Sequence, residues 1–164
     1  MPLKEKTTTH RNSREANRLT PFVKGIAMGA LTLKGIEQCL RQGKLKAQEL
    51  GVEAAIVVVD ESGRLAGALR MDNALWVTPE IAQAKAVTAS AFRATTAELE
   101  ERWKARHLFA VSIVGLGPGR FLVGKGAVPI IVDGEVIGAV GVSGGIPADL
   151  DHQIAEAAAK QSNE

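Results

Sequence analysis

The amino-acid sequence predicts a single α/β domain, an α/β/α sandwich on an antiparallel sheet. Three observations carry this. Helix-period segments stand before, between and after two β-rich pairs of runs. Each pair is joined by short turn chemistry rather than by a crossover helix, so its strands run antiparallel. The apolar material is small: 46% of the residues are hydrophobic but only 4% are aromatic, there is no Tyr, and 17 are glycine. Such a core suits helices lying close on a sheet. At 164 residues the chain is long enough for one well-buried core and too short for two ordinary domains.

Residues 1–20, MPLKEKTTTHRNSREANRLT, have almost no apolar content and no period. With the stretch up to residue 30 they are expected to form a flexible basic N-terminal tail ahead of a domain over residues 31–164. His10 falls in that tail and is expected to be solvated. From Leu33 the pattern is helical: Ile36, Leu40, Gly43, Ala47 and Leu50 recur at three and four residues, with Thr32 as candidate N-cap and Gly51 as candidate C′ residue.

Ala54–Val59 (AAIVVV) is a continuous apolar run, which predicts a strand covered on both faces. Asp60-Glu61-Ser62-Gly63 is a turn, and Arg64–Met71 returns as a second strand. Alternation puts Arg64, Ala66, Ala68 and Arg70 on one face of it. That face is either a pocket floor with an anion-binding arginine at its rim or a bed for a flat-lying helix. Thr78-Pro79-Glu80 reads as an N-cap, an N1 proline and an acidic first turn, so the next helix spans about Pro79 to Arg93. Its body is rich in alanine all round, and Lys85 is its only charge, on the face shared by Ile81, Thr88 and Phe92. A lysine so placed snorkels, pairs with an acid such as Asp60 or Asp72, or holds a ligand carboxylate.

Thr95-Thr96-Ala97-Glu98 matches a capping box and starts a charged helix to about Arg106, with Leu99 and Trp103 inward. His107 is expected at that helix's C-terminal end, and Leu108–Val114 as a further strand or extended segment. The last third is the most ordered stretch to read. Val128–Val132 and Glu135–Val142 flank Asp133-Gly134, the dipeptide of a type I′ hairpin. Ser143-Gly144-Gly145 breaks the return strand, and Pro147 with Asp149 opens a final helix to about Gln161 with Leu150 and Ile154 inward. Gly138, Gly141 and Gly144 mark a close approach to the backbone, by a packed helix or by a ligand. His152 lies beside Asp149 and Asp151, which would raise its pKa and orient a ring nitrogen.

The charge distribution narrows the function. Net charge is +2, and Lys4, Lys6, Arg11, Arg14 and Arg18 against Glu5 and Glu15 place +3 of it in the first 18 residues. The remainder is nearly neutral and lacks a basic groove with interleaved aromatics, so no nucleic-acid partner is expected. No run approaches the length of a membrane span, so no membrane partner is expected either. The mildly apolar stretch after the basic leader is interrupted by Lys24 and follows too long and polar a segment for a signal peptide, and a cytoplasmic location is expected. Cys39 stands alone, which excludes an internal disulfide framework and a cysteine zinc site. The glycine loops Gly115–Arg120 and Gly124–Gly126 lack the pattern of a P-loop or dinucleotide fingerprint, although the amides of the second suit an anion-binding nest.

The element order resembles profilin-like or PAS-like sensors more than a doubly wound nucleotide fold. More specifically, Val59-Asp60-Glu61-Ser62-Gly63, Arg70-Met71-Asp72, Ala84-Lys85-Ala86 with Thr88-Ala89 and Phe92, Gly124-Lys125-Gly126 with Pro129, and Gly138–Gly145 with Asp151-His152 are similar to the haem-degrading-domain family. That family includes GlcG-like, HbpS-like and PduO C-terminal-like proteins. The resemblance covers about Leu31 to Ala159. It implies a compact domain that assembles into homo-oligomers, a dimer building up to a hexamer or octamer, and binds small ligands. In some members these include haem or corrinoid-related tetrapyrroles. On the reading of the residues themselves, Lys85, Arg70 and His152 are the candidate catalytic or ligand-holding groups, and Asp72, Thr88, Phe92, Gly124, Gly126, Ser143 and Gly144 are further candidate ligand-binding residues. His152 or His107 is the implied axial ligand for a haem iron. The acidic iron-binding pair of HbpS-like members has no clean match, only Glu80 lying near it.

Three functions are therefore open. A haem-binding protein would use Ala66, Ala68, Phe92 and the glycine hairpin as slot and Arg70 or Lys85 for the propionates. A cofactor-independent lyase on an aromatic acid of the hydroxylaminobenzoate type, releasing ammonia, would clamp the carboxylate with Arg70 and move protons with Lys85 or His152. An accessory oligomeric subunit in glycolate or corrinoid metabolism would use the small-residue surfaces for assembly alone. The first two require Arg70, Lys85 and His152 to converge on a hollow by the last hairpin.

Overall fold

The structure, a computed structural model, describes residues 30–117 and 119–160. The expectations for residues 1–29, including His10 and the segment from Pro21, fall outside the described residues; the last helix ends at Ala159, with Lys160 extended, short of the expected Gln161. The elements in chain order are α1 (Leu33–Glu49), β1 (Ala55–Asp60), β2 (Leu65–Arg70), α2 (Thr78–Phe92), α3 (Thr96–Trp103), α4 (His107–Gly115), β3 (Ala127–Val132), β4 (Glu135–Ser143) and α5 (Asp149–Ala159). The four strands form one antiparallel sheet in the order β2-β1-β4-β3.

Local chemistry sets the boundaries. Thr32 caps α1 by accepting a hydrogen bond from the Gly35 amide at 3.1 Å, and Gly51 ends it with φ +66°. Asp60 Oδ1 accepts from the Ser62 and Arg64 amides and so closes the β1–β2 turn. At the β3–β4 turn Asp133 and Gly134 take φ +50° and +83°, the two left-handed positions of a type I′ hairpin. Thr95 and Glu98 form the capping box of α3 reciprocally.

Two layers of helix cover the sheet. On one side α1 and α5 pack Cys39, Ala47, Ile154 and Ala158 against Ile56, Val58, Val140 and Val142. On the other side α2 lays Ala82, Ala86 and Ala89 on Val57, Val59 and Ala139. Branched side chains meeting two helices on one face, and alanines lying close on the other, explain why β1 is buried throughout except at Asp60. Burial pushes the Cys39 thiol up to about 11, so it stays protonated and inert.

Two expectations are corrected. Leu108–Val114 is helix α4, not a strand: with β3 already forming that edge of the sheet, the segment instead turns Phe109, Ala110 and Ile113 onto Leu99 and Trp103. His107 consequently opens α4 rather than closing α3. Thr78 does not cap α2: its hydroxyl donates to the Leu75 carbonyl at 2.7 Å, and the cap position is Val77, without a side-chain bond.

Candidate functional site

The corner where β4 runs into α5 is built by glycine, and the space the glycines free is filled by protein. A Cβ on Gly141 would lie 2.0 Å from the Ala82 carbonyl oxygen, so the backbone of α2 rests directly on β4 there. A Cβ on Gly138 would meet the Val59 carbonyl at 2.4 Å, and one on Gly144, at φ +151°, the Glu53 carbonyl at 2.3 Å. The close approach is made by a helix and by neighbouring backbone.

Lys85 reaches across this corner from α2. Its ammonium donates to Asp151 Oδ2 at 2.9 Å and to the Val142 carbonyl at 3.1 Å, and the two side chains are 8% and 3% exposed. The other carboxylate oxygen of Asp151 accepts from the Gly145 amide at 2.7 Å. Gly126, at φ +122°, leaves room for this pair: a Cβ there would sit 2.9 Å from Lys85 Nζ and 2.8 Å from Asp151 Cβ. Lys85 is thus ion-paired as one of its expected outcomes, but with Asp151 rather than Asp60 or Asp72. The signal for Asp151 was present in the sequence, since it shares the stripe of Ile154, Ala155 and Ala158 and a charge on a buried stripe requires a partner.

Arg70 does not join this pair. It is exposed at the end of the edge strand β2, where with Lys44, Glu53, Asp72 and Asn73 it lines a surface cleft of about 270 Å³ that neither Lys85 nor His152 lines. The Ala66 and Ala68 face of β2 is exposed beside α2, neither an enclosed floor nor a helix bed. His152 is separate again. Its Nε2 lies 3.6 Å from Glu156 Oε1 and its Nδ1 is buried without a hydrogen-bond partner. The flanking acids do not orient it, because Asp151 is committed to Lys85 and Asp149 to Lys125 at 2.6 Å. The expected convergence of Arg70, Lys85 and His152 is therefore absent, because the lysine turns inward to an acid of α5 while the arginine stays on the sheet edge.

The remaining candidates occupy structural positions. Thr88 is buried, its hydroxyl donating to the Ala84 carbonyl at 2.8 Å and accepting from the Leu122 amide at 3.0 Å. Phe92 stacks edge-on against Trp103, with centroids 4.8 Å apart. Ser143 is buried at the end of β4 opposite Ala55, Asp72 and Gly144 are exposed, and Gly124 is half-buried. In the Gly124–Gly126 loop the Lys125 amide donates to Glu100 Oε2 at 3.2 Å, so a carboxylate of the protein already holds that amide.

A feature that the sequence reading missed lies at the elbow of α3 and α4. Trp103, Phe109 and Phe92 form an aromatic knot whose outer wall is α4. No residue of α4 is buried, and Leu108, Val111 and Val114 stand 84%, 57% and 42% exposed. Arg106 lies over the Phe109 ring at 4.6 Å. The available signal was charge: no Asp or Glu occurs between Glu101 and Asp133. Among the described residues no cluster of three or more His, Cys, Asp or Glu is arranged to hold a metal ion, and no helix is long and apolar enough to cross a membrane.

Comparison with known proteins places this architecture. Residues 31–160 match the family model described as haem degrading protein HbpS-like. An uncharacterized 15.0 kDa protein of the dhaT–dhaS intergenic region of Citrobacter freundii is 33% identical over 134 residues, covering 80% of this chain and 91% of that protein. Protein GlcG of Escherichia coli K12 is 37% identical over 104 residues, 62% of this chain and 72% of its own. The crystal structure of a PduOC:haem complex superposes with a TM-score of 0.71 at 31% identity, covering 79% of this chain and 93% of that one. The extent of these matches, through both hairpins and the helices that cover them, shows that the chain belongs to the HbpS-like haem-degrading protein family.

Proposed function

We propose that this protein binds a small ligand, haem or a related tetrapyrrole, as a homo-oligomer. The observation that carries the reading is the likeness, along most of both chains, to a relative whose structure was determined with haem. The residues present fit the group: a planar apolar ligand with two carboxylates and a metal centre asks for apolar surface, cations and an axial donor. The chain offers solvent-facing leucine and valine, arginines without an ion-pair partner among the described residues, and an exposed histidine on the outside of the α3–α4 elbow. Self-association as a dimer building up to a hexamer or octamer is supported by the bare Ala66–Ala68 face of β2 and by exposed Leu65, Leu75 and Trp76.

The lyase reading needs Arg70 and either Lys85 or His152 on one substrate, and no observation favours it while Lys85 is bound to Asp151. Titrating the purified full chain with ferric haem tests the proposal. A saturable Soret band distinct from that of free haem is expected, at a stoichiometry of about one per chain. A spectrum identical to free haem throughout the titration removes the reading and leaves assembly alone. Native mass spectrometry of the same samples reads the number of subunits.

A further inference from the structure

We propose that the ligand site is the outer face of α4, with His107 as the iron ligand and Arg102, Arg106 and Arg120 as partners of the two carboxylates. This rests on the haem reading above and assigns its site. The argument begins with the composition of α4, HLFAVSIVG, which is apolar on all sides. A helix of that kind is ordinarily buried all round. Here only one side is: Phe109, Ala110 and Ile113 turn to Leu99 and Trp103. The residues at the complementary spacing, His107, Leu108, Val111 and Val114, form one outward stripe. With Leu116, at 72% exposure, this short segment holds four of the eleven exposed large hydrophobic residues among those described. A cluster of that density marks a surface that is covered in the working state.

Charge and donor chemistry select what covers it. Residues 102–132 contain no carboxylate, while Arg102, Arg106 and Arg120 have no ion-pair partner among the described residues. Arg106 is laid on the Phe109 ring of α4 at 4.6 Å and Arg120 on the Phe121 ring at 5.5 Å, and neither guanidinium is engaged by a carboxylate among the described residues. The covering group is therefore apolar and anionic. His107 adds the third requirement: it is exposed and its side chain makes no hydrogen bond or ion pair among the described residues, whereas His152 has one nitrogen buried and the other beside Glu156. Apolar plane, paired carboxylates and a metal that takes imidazole together describe an iron porphyrin. An anionic lipid surface would use the leucines and arginines but not the imidazole, and a second copy of the chain would have to supply acids to this rim.

Two porphyrins separate the roles. Ferric haem and metal-free protoporphyrin IX are each titrated into the full chain in a Trp76→Phe background, read by the Soret band and by quenching of Trp103, which stacks on Phe109 of α4 with centroids 5.3 Å apart. His107→Ala is expected to weaken haem binding about tenfold or more and to leave protoporphyrin binding unchanged; Arg106→Ala combined with Arg102→Ala is expected to weaken both by about tenfold or more. His152→Ala is expected to bind both as wild type does, and Leu108→Asp to bind neither while melting normally. Haem bound normally by the His107 and arginine variants, or lost in His152→Ala, overturns the site and leaves the haem reading intact. Haem not bound by the wild-type chain overturns both. Flotation with equimolar phosphatidylcholine and phosphatidylserine vesicles, or an oligomer that dissociates in Leu108→Asp, with haem binding unaltered in that variant, assigns α4 to a membrane or to a subunit contact and overturns the site as well.

Discussion

At the corner between β4 and α5 the side chains are small and no space is left; at the elbow between α3 and α4 they are bulky and the outer surface is bare. The difference teaches how glycine is to be read in a sheet packed by helices. Removing a side chain from Gly141 does not create a hollow, because the α2 backbone moves in until the Ala82 carbonyl occupies the place a Cβ would take. Apolar bulk, conversely, does not guarantee burial. A run that is apolar all round buries one side against its own domain and leaves the other for a partner. The corner is a stability device with a satisfied internal charge pair, whereas the elbow contributes little to the fold that its outer residues could lose.

The two regions can be set against each other by substitution. The largest effect is expected at the buried pair. Lys85→Ala or Asp151→Ala leaves an uncompensated charge beside Val142 and costs about 3–5 kcal/mol by denaturant unfolding, while Lys85→Met with Asp151→Leu costs less than either single change. A loss in the double variant equal to the sum of the two single losses would show that the pair is not coupled. Gly141→Ala, which forces α2 away from β4, is expected to cost about 1–3 kcal/mol or more in the same assay. At the elbow, loss of the α3 cap in Thr95→Ala is expected to cost about 1 kcal/mol.

The same cap carries a pH dependence. Hydrogen bonds from the Thr95 backbone and side chain hold the Glu98 carboxyl below its usual range. A depressed folded value contributes stability that is present above the unfolded glutamate value and is lost as the pH falls through the folded one. Thermal melts of the wild type should lose this increment on acidification, and Glu98→Gln should lack it. The smallest effect is expected on the outer stripe, where Leu108→Asp should change stability by no more than about 0.5 kcal/mol. A large loss there would mean that the stripe is buried in the assembled protein and would collapse the contrast between the two regions.

Much of the fold was legible because it is written in short-range signals. Thr32 and Gly51 bound α1, Asp133-Gly134 makes the hairpin, Thr95 with Glu98 starts α3, and the continuous run Ala54–Val59 is the doubly covered central strand. The segment from Leu108 to Val114 was not legible, because an apolar run without a period of two or of three to four is compatible with strand and helix alike. Its state depended on whether a sheet edge or the Trp103 wall was available to it.

The candidate site shows the same division. The sequence by itself limited Lys85, the one charge in the body of an alanine-rich helix, to snorkelling, pairing with an acid or holding a ligand carboxylate, and it set Asp151 three residues before the inward Ile154 of the last helix. Tertiary structure alone decided that the two meet, that Arg70 is left out on the edge strand, and that the glycine corner closes. The physical reason is that pairing across 66 residues depends on where α5 crosses the sheet relative to α2, and that crossing is a property of packed surfaces rather than of any local motif.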